Sequence, residues 1–261
     1  MNLMKTFRPL LYLAGFVLLV GLACGTVVVE ESPASPQQPA QPSAPDALPT
    51  LPPLPTASPT DIPVEPPPVE GDSGDAPAYF FEEFEGQLEN WWYFLMSGSD
   101  ANLGIYNESG NLVFEIPDEN TWAYLMYDPW VYEDVYIQTT AENRGVNTNS
   151  ISLLCRYNEQ GWYEFNVTNG GLWSILAYDV TDGYENLFNG GSTAIQSGRS
   201  FNEYIAVCQG NDLSLFINGE FIHKVTDTRY SFREGRVGVS VSSFDAIPVR
   251  VEFNNLIVDQ P

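Results

Sequence analysis

The sequence has little of what catalytic and nucleic-acid sites are commonly built from. It has one histidine, His223, so a nucleophile–histidine triad has one candidate base and a multi-histidine metal site is excluded. It has three cysteines and no Cys-x-x-Cys pair, which removes the common zinc arrangements. Only 10 residues are Lys or Arg against 34 Asp or Glu, a formal net charge of −24. Such a surface repels phosphate backbones and anionic headgroups, and it excludes nucleic acid as a partner. No glycine-rich phosphate loop and no metalloprotease motif occurs. No stretch carries a sustained helical period with caps.

What is present is unevenly distributed. Fourteen of the 20 prolines lie between Pro33 and Pro68, in a tract that lacks aromatic residues. That composition cannot bury enough apolar surface to offset the entropy of ordering, and it predicts an extended, semi-rigid linker. All six Trp, and all but Phe7, Phe16 and Tyr12 among the other aromatics, lie from Tyr79 onward. One folded domain over 79–261 is the natural reading.

The first residues read as an export signal. Lys5 and Arg8 precede an uncharged run from Pro9 to Ala23, 15 residues long. A bilayer-spanning helix needs about 20. Gly21-Leu22-Ala23-Cys24 resembles the lipobox of bacterial lipoproteins, with Gly21 where that family usually has Leu. The resemblance implies a signal peptide over 1–23, lipidation of Cys24, and a membrane partner reached through that lipid. Residues 24–78 then form the lipidated end and linker. The alternative is an uncleaved anchor over Pro9–Val29. Both place the rest of the chain in an extracytoplasmic location, where disulfides are permitted. Cys155 and Cys208 fall in predicted strands, "SISLLCRYN" and "EYIAVCQGN", and are expected either to pair or to remain buried thiols.

The 79–261 part reads as all-β. "NLVFEI", "DVYIQTT", "WYEFNV" and "RVGVSV" alternate with the period of strands. Asn218-Gly219 is a hairpin turn, and Asn107–Gly110 and Asn158–Gly161 read as four-residue hairpin loops. A dozen or so strands imply two packed antiparallel sheets, a β-sandwich. The order "YFFEEFEGQLENWW", "GNLVFEI", "ISLLCRYNEQGWYEFNVTNGGLWSI", "NEYIAVCQGNDLSLFINGEFIHKVTD", "GRVGVSV" and "VRVEFNNLIV" resembles the concanavalin A-like lectin/glucanase superfamily. It is most similar to its laminin-G-like and 3-keto-disaccharide-hydrolase-like modules. The resemblance implies a jelly roll, often with sugar on a sheet face or at the loops. It fits a ligand-binding module for carbohydrate, a glycan-acting hydrolase, or an adhesion or sensor domain for a surface protein.

No catalytic residues are assigned. Glucanases of that superfamily use Glu-x-Asp-x-x-Glu, and only Glu70–Asp75 approaches it, ending in Asp within the linker. His223 reads as a half-exposed strand residue. The best candidate binding set comes from alternation in "WYEFNVT". Tyr163, Phe165 and Val167 should face the core, leaving Trp162, Glu164 and Asn166 on the other face. Arg156 joins them if Leu153, Cys155 and Tyr157 point inward. A plain Arg–Glu cross-strand pair beside a Trp is the alternative. Asp179, Asp182 and Glu185, with Asn186 and Asn189, form an oxygen-rich segment that could take Ca2+, or a solvated acidic loop.

Overall fold

The protein's structure, a computed structural model, describes residues 76–146 and 148–261. The export segment, Cys24, the proline-rich tract and the Glu70–Asp75 run lie outside those residues.

Fifteen strands and no helix occur among the described residues. In chain order they are β1 (Phe80–Glu82), β2 (Trp91–Ser97), β3 (Gly104–Glu108), β4 (Asn111–Ile116), β5 (Trp122–Tyr127), β6 (Val135–Asn143), β7 (Asn149–Tyr157) and β8 (Gly161–Thr168). Then follow β9 (Leu172–Asp179), β10 (Gly183–Gly191), β11 (Phe201–Gln209), β12 (Asp212–Ile217), β13 (Glu220–Thr226), β14 (Arg236–Ser243) and β15 (Val249–Asp259). One sheet runs β13-β12-β11-β6-β15-β4-β3, with β1 also paired to β15. The other runs β10-β9-β8-β7-β14-β5-β2. Every pairing between strands is antiparallel, as the expected sandwich requires.

Alternation makes the core. Along β6, Val135, Ile137, Thr139, Ala141 and Asn143 are buried while the residues between them are half-exposed. The inward faces of β7, β8 and β9 add Ile151, Leu153, Tyr163, Phe165, Val167, Ile175 and Ala177. Each such side chain removed from water contributes about 1.5–3 kcal/mol before entropy is subtracted. Cys155 of β7 and Cys208 of β11 form a disulfide, which ties one sheet to the other through this core.

The turns follow residue chemistry. Asn218 and Gly219 both have positive φ, 51° and 77°, as a two-residue hairpin with this hand of twist demands. The β3–β4 hairpin is tighter than its sequence suggests. Glu108 pairs with Asn111, so only Ser109 and Gly110 form the turn, at φ 54° and 74°.

Among the described residues the contacts start at Ala76, three residues before Tyr79. Trp130 Nε1 donates to the carbonyl of Ala76 at 2.5 Å, Tyr127 to Pro77 at 2.8 Å and Tyr132 to Ala78 at 2.5 Å. This strap leads directly into β1.

Candidate functional site

The outer face of the seven-stranded sheet carries the candidate site. Its floor is set by β8, where Trp162, Glu164 and Asn166 point away from the core occupied by Tyr163, Phe165 and Val167. The neighbouring strands supply Ser150 and Ser152 from β7, Tyr124 from β5 and Tyr184 from β10.

Glu164 is the centre of this group and only 2 % exposed. Ser152 donates to its Oε1 at 2.6 Å. The Tyr124 and Tyr184 hydroxyls donate to Oε2 at 3.2 Å each, and Trp162 Nε1 lies 3.4 Å from the same oxygen. The two tyrosine hydroxyls are themselves 2.7 Å apart. Burial holds the Glu164 carboxyl above its ordinary range, against the pull of these four donors. Burial and the nearby carboxylate also raise both tyrosines, so neither is an activated nucleophile. Asn166 donates to Ser150 and Ser152, at 3.0 and 2.9 Å.

Above this floor lies a cleft of about 250 Å³ lined by Trp122, Tyr124, Tyr184, Leu176 and Phe244, with Glu164, Asn166, Ser150 and Ser242 below. A second cleft of about 370 Å³ continues over β9 and β10, sharing Asn166 and Leu176 with the first. Its polar groups are Thr168, Ser174, Asn186 and Asn189. Together they make a groove across the sheet with aromatic walls at one end and amides and hydroxyls at the other. This is the layout of a site that stacks a ring and fixes its hydroxyls.

Two members of the sequence-derived set behave differently from expectation. Trp162 faces outward but is only 3 % exposed, because Tyr178 stacks on it with Tyr157, Phe94 and Tyr184 around it. It supports the floor and offers no free face. Arg156 does not share this surface. On β14 the register steps from Arg236↔Tyr157 to Gly238↔Leu154, so Cys155 and Arg156 oppose one residue in a β-bulge. Arg156 takes a left-handed φ of 56° and the alternation slips by one. Tyr157 therefore packs outward on Trp162 and Trp92, while Arg156 turns to the end of the sandwich. There it is 2 % exposed and donates to the carbonyls of Glu133, Gly210 and Phe232, and to Asp134.

The oxygen-rich segment is an edge hairpin, β9 to β10. Asp179 accepts from the backbone N–H groups of Thr181 and Asp182 in the turn. Asp182 and Glu185 both face Arg229, at 3.5 and 3.8 Å. Among the described residues no group of three or more metal-ligating acidic, His or Cys side chains converges. In this structure Arg229 supplies the counter-charge to Asp182 and Glu185. His223, on β13, stacks on Phe188 with ring centres 3.7 Å apart and lies 5.6 Å from the Trp173 ring. Trp173 is 6 % exposed; it packs with the core cluster and borders the second cleft.

The sequence matches no protein-family model and no curated protein. The fold matches many solved structures. A carbohydrate-binding module, CBM66, of Bacillus subtilis is 10 % identical, with a TM-score of 0.50, over 64 % of this chain and 95 % of its own. A galectin-like protein of unknown function from Bacillus subtilis is 9 % identical, with a TM-score of 0.56, over 69 % and 94 %. The laminarinase catalytic domain of Thermotoga maritima is 11 % identical, with a TM-score of 0.55, over 72 % and 99 %. At these identities the likeness establishes the fold: a concanavalin A-like, galectin-like jelly roll.

Proposed function

We propose that this domain is a non-catalytic glycan-binding module, held outside the cell membrane by a lipid on Cys24 and a proline-rich linker. The observation that carries the reading is the groove, where aromatic walls meet an amide-and-hydroxyl floor on one sheet face. The likeness in fold to a carbohydrate-binding module and to glucanases supports the same ligand class. Against hydrolysis stands the carboxylate count. Glycoside cleavage usually uses two carboxylates, about 5–9.5 Å apart. Glu164 is the single acidic residue lining either cleft.

A hydrolase is the second reading. The observation in its favour is Glu164 itself, a buried carboxyl that holds its proton more tightly than usual, as a general acid must.

The test is a glycan-array screen of the full chain in detergent. Selective binding is expected, weakened at least about tenfold in Trp122→Ala, with the thermal midpoint little changed. Binding to no glycan by a folded chain overturns the module reading. Release of reducing sugar from a bound glycan, lost in Glu164→Gln, would install the hydrolase in its place. Labelling of Cys24 by a fatty-acid analogue in cells tests the anchor, and a Cys24→Ser chain that labels equally would refute it.

A further inference from the structure

We infer that the groove selects glycans carrying a protonated amine, that is, amino sugars without the acetyl group, over neutral ones. The inference rests on the glycan-binding reading and narrows it. Glu164 accepts from four donors, all of them neutral dipoles, and no cation pairs with it among the described residues. Burial raises the Glu164 carboxyl because no counter-charge lies beside it; a cation in the cleft above would supply that charge and favour the ionised form. Four aromatic rings, Trp122, Tyr124, Tyr184 and Phe244, line that cleft. Trp122, Tyr184 and Phe244 are half-exposed there, and aromatic rings beside a carboxylate attract an ammonium group by both quadrupole and charge. Neither cleft is lined by Lys, Arg or His, so nothing in the groove repels a cation. The strongly acidic chain raises the local concentration of cationic ligands as well.

The rest of the groove explains why the cation should be part of a sugar. Asn166, Ser150 and Ser242 in the first cleft, and Ser174, Asn186 and Asn189 in the second, suit hydroxyl groups. Trp122 Nε1 is buried and has no partner among the described residues. An indole donor left unpaired beside the cleft is costly unless a ligand oxygen meets it.

The experiment titrates the full chain with oligomers of glucosamine, N-acetylglucosamine and glucose, in the parent and in Glu164→Gln, at low and high salt. The glucosamine oligomer should bind about tenfold more tightly than the other two, a difference of about 1.4 kcal/mol. High salt should leave most of that preference in place, because a buried carboxylate is screened far less than a surface charge. Glu164→Gln should erase it at low salt. The salt arm needs no variant, so it decides even if Glu164→Gln fails to fold: a preference that high salt erases belongs to the acidic surface and overturns the assignment to the groove. Equal or tighter binding of the neutral oligomers overturns the amine selectivity and leaves the glycan module standing. A preference that persists in folded Glu164→Gln also overturns it. Binding of other glycans in the array, with none of these three bound, sinks the inference alone; binding of no glycan sinks both.

Discussion

The ring of Tyr178 lies on the indole of Trp162, with centres 4.1 Å apart and planes within 22° of parallel. Phe94, Tyr124 and Tyr157 close around the same indole. An aromatic cluster thus sits on the outside of a sheet, where water would otherwise reach. Trp162→Ala should cost about 3–5 kcal/mol, the usual price of truncating a buried Trp, read as a lower urea midpoint. An unchanged midpoint would mean that Tyr178 leaves the indole free in solution, and Trp162 would return as a ligand-stacking face.

Glu164 gives a stability effect with an unusual sign. A carboxyl whose proton is held more tightly in the folded state favours folding while protonated. That contribution is complete below the ordinary carboxylate range and is lost as pH rises through the raised folded value. At neutral pH Glu164 should therefore strain the domain. Glu164→Gln, with its amide donating to Ser152 and its carbonyl accepting from the tyrosines, should be more stable than the parent at pH 7, by about 1 kcal/mol. The advantage should vanish near pH 4. Thermal melts across that range check it; a variant less stable at pH 7 would show that the four donors outweigh burial.

Asp227 behaves in the opposite way. Its burial raises the carboxyl, but the Tyr163 hydroxyl at 2.5 Å and the N–H groups of Ser231, Arg229 and Tyr230 outweigh that and hold it below the ordinary range. Its stabilisation is present above the ordinary Asp value and is lost as pH falls through the lowered one. Asp227→Asn should cost about 1–3 kcal/mol at pH 7, with the difference shrinking in acid. Denaturant titrations at the two pH values measure this, and a loss independent of pH would contradict it.

The Cys155–Cys208 bridge spans a sequence separation of 53 and joins the two sheets. In the chain-entropy description such a loop stabilises by about 4 kcal/mol. Cys155→Ala with Cys208→Ala should lower the thermal midpoint markedly while leaving the circular-dichroism spectrum of the β-sheet unchanged at low temperature. A midpoint within a degree or two of the parent would mean that the unfolded chain gains little freedom from the cut.

The sandwich could be read from the sequence because strands such as "DVYIQTT" and "EYIAVC" keep water on one face, and because Asn218-Gly219 has one favoured geometry. The groove was only half legible, for a physical reason. In "WAYLMY" both faces are apolar, Ala123, Leu125 and Tyr127 inward and Trp122, Tyr124 and Met126 outward, so alternation carries no sign. Tyr184 was visible only as part of an acidic segment, and nothing local places it over Glu164. Ser150, Ser152 and Ser242 are short polar residues in strands, common enough to pass unnoticed until tertiary pairing lines them up. Arg156 was misplaced because a bulge, set by pairing with a distant strand, shifted the alternation by one residue.

The strap at Ala76–Ala78 has a mechanical meaning. A pull on the chain from its N-terminal side meets three aromatic donors first, then the three paired residues of β1 against β15. Both are short and lie outside the disulfide-bridged middle of the sandwich. The β1 pairing lies on the sheet opposite the groove, but Tyr127, which holds the strap at Pro77, belongs to β5, the strand that also carries Trp122 and Tyr124 of the cleft. The end of the domain that leads toward the linker is thus hydrogen-bonded to the strand that walls the cleft.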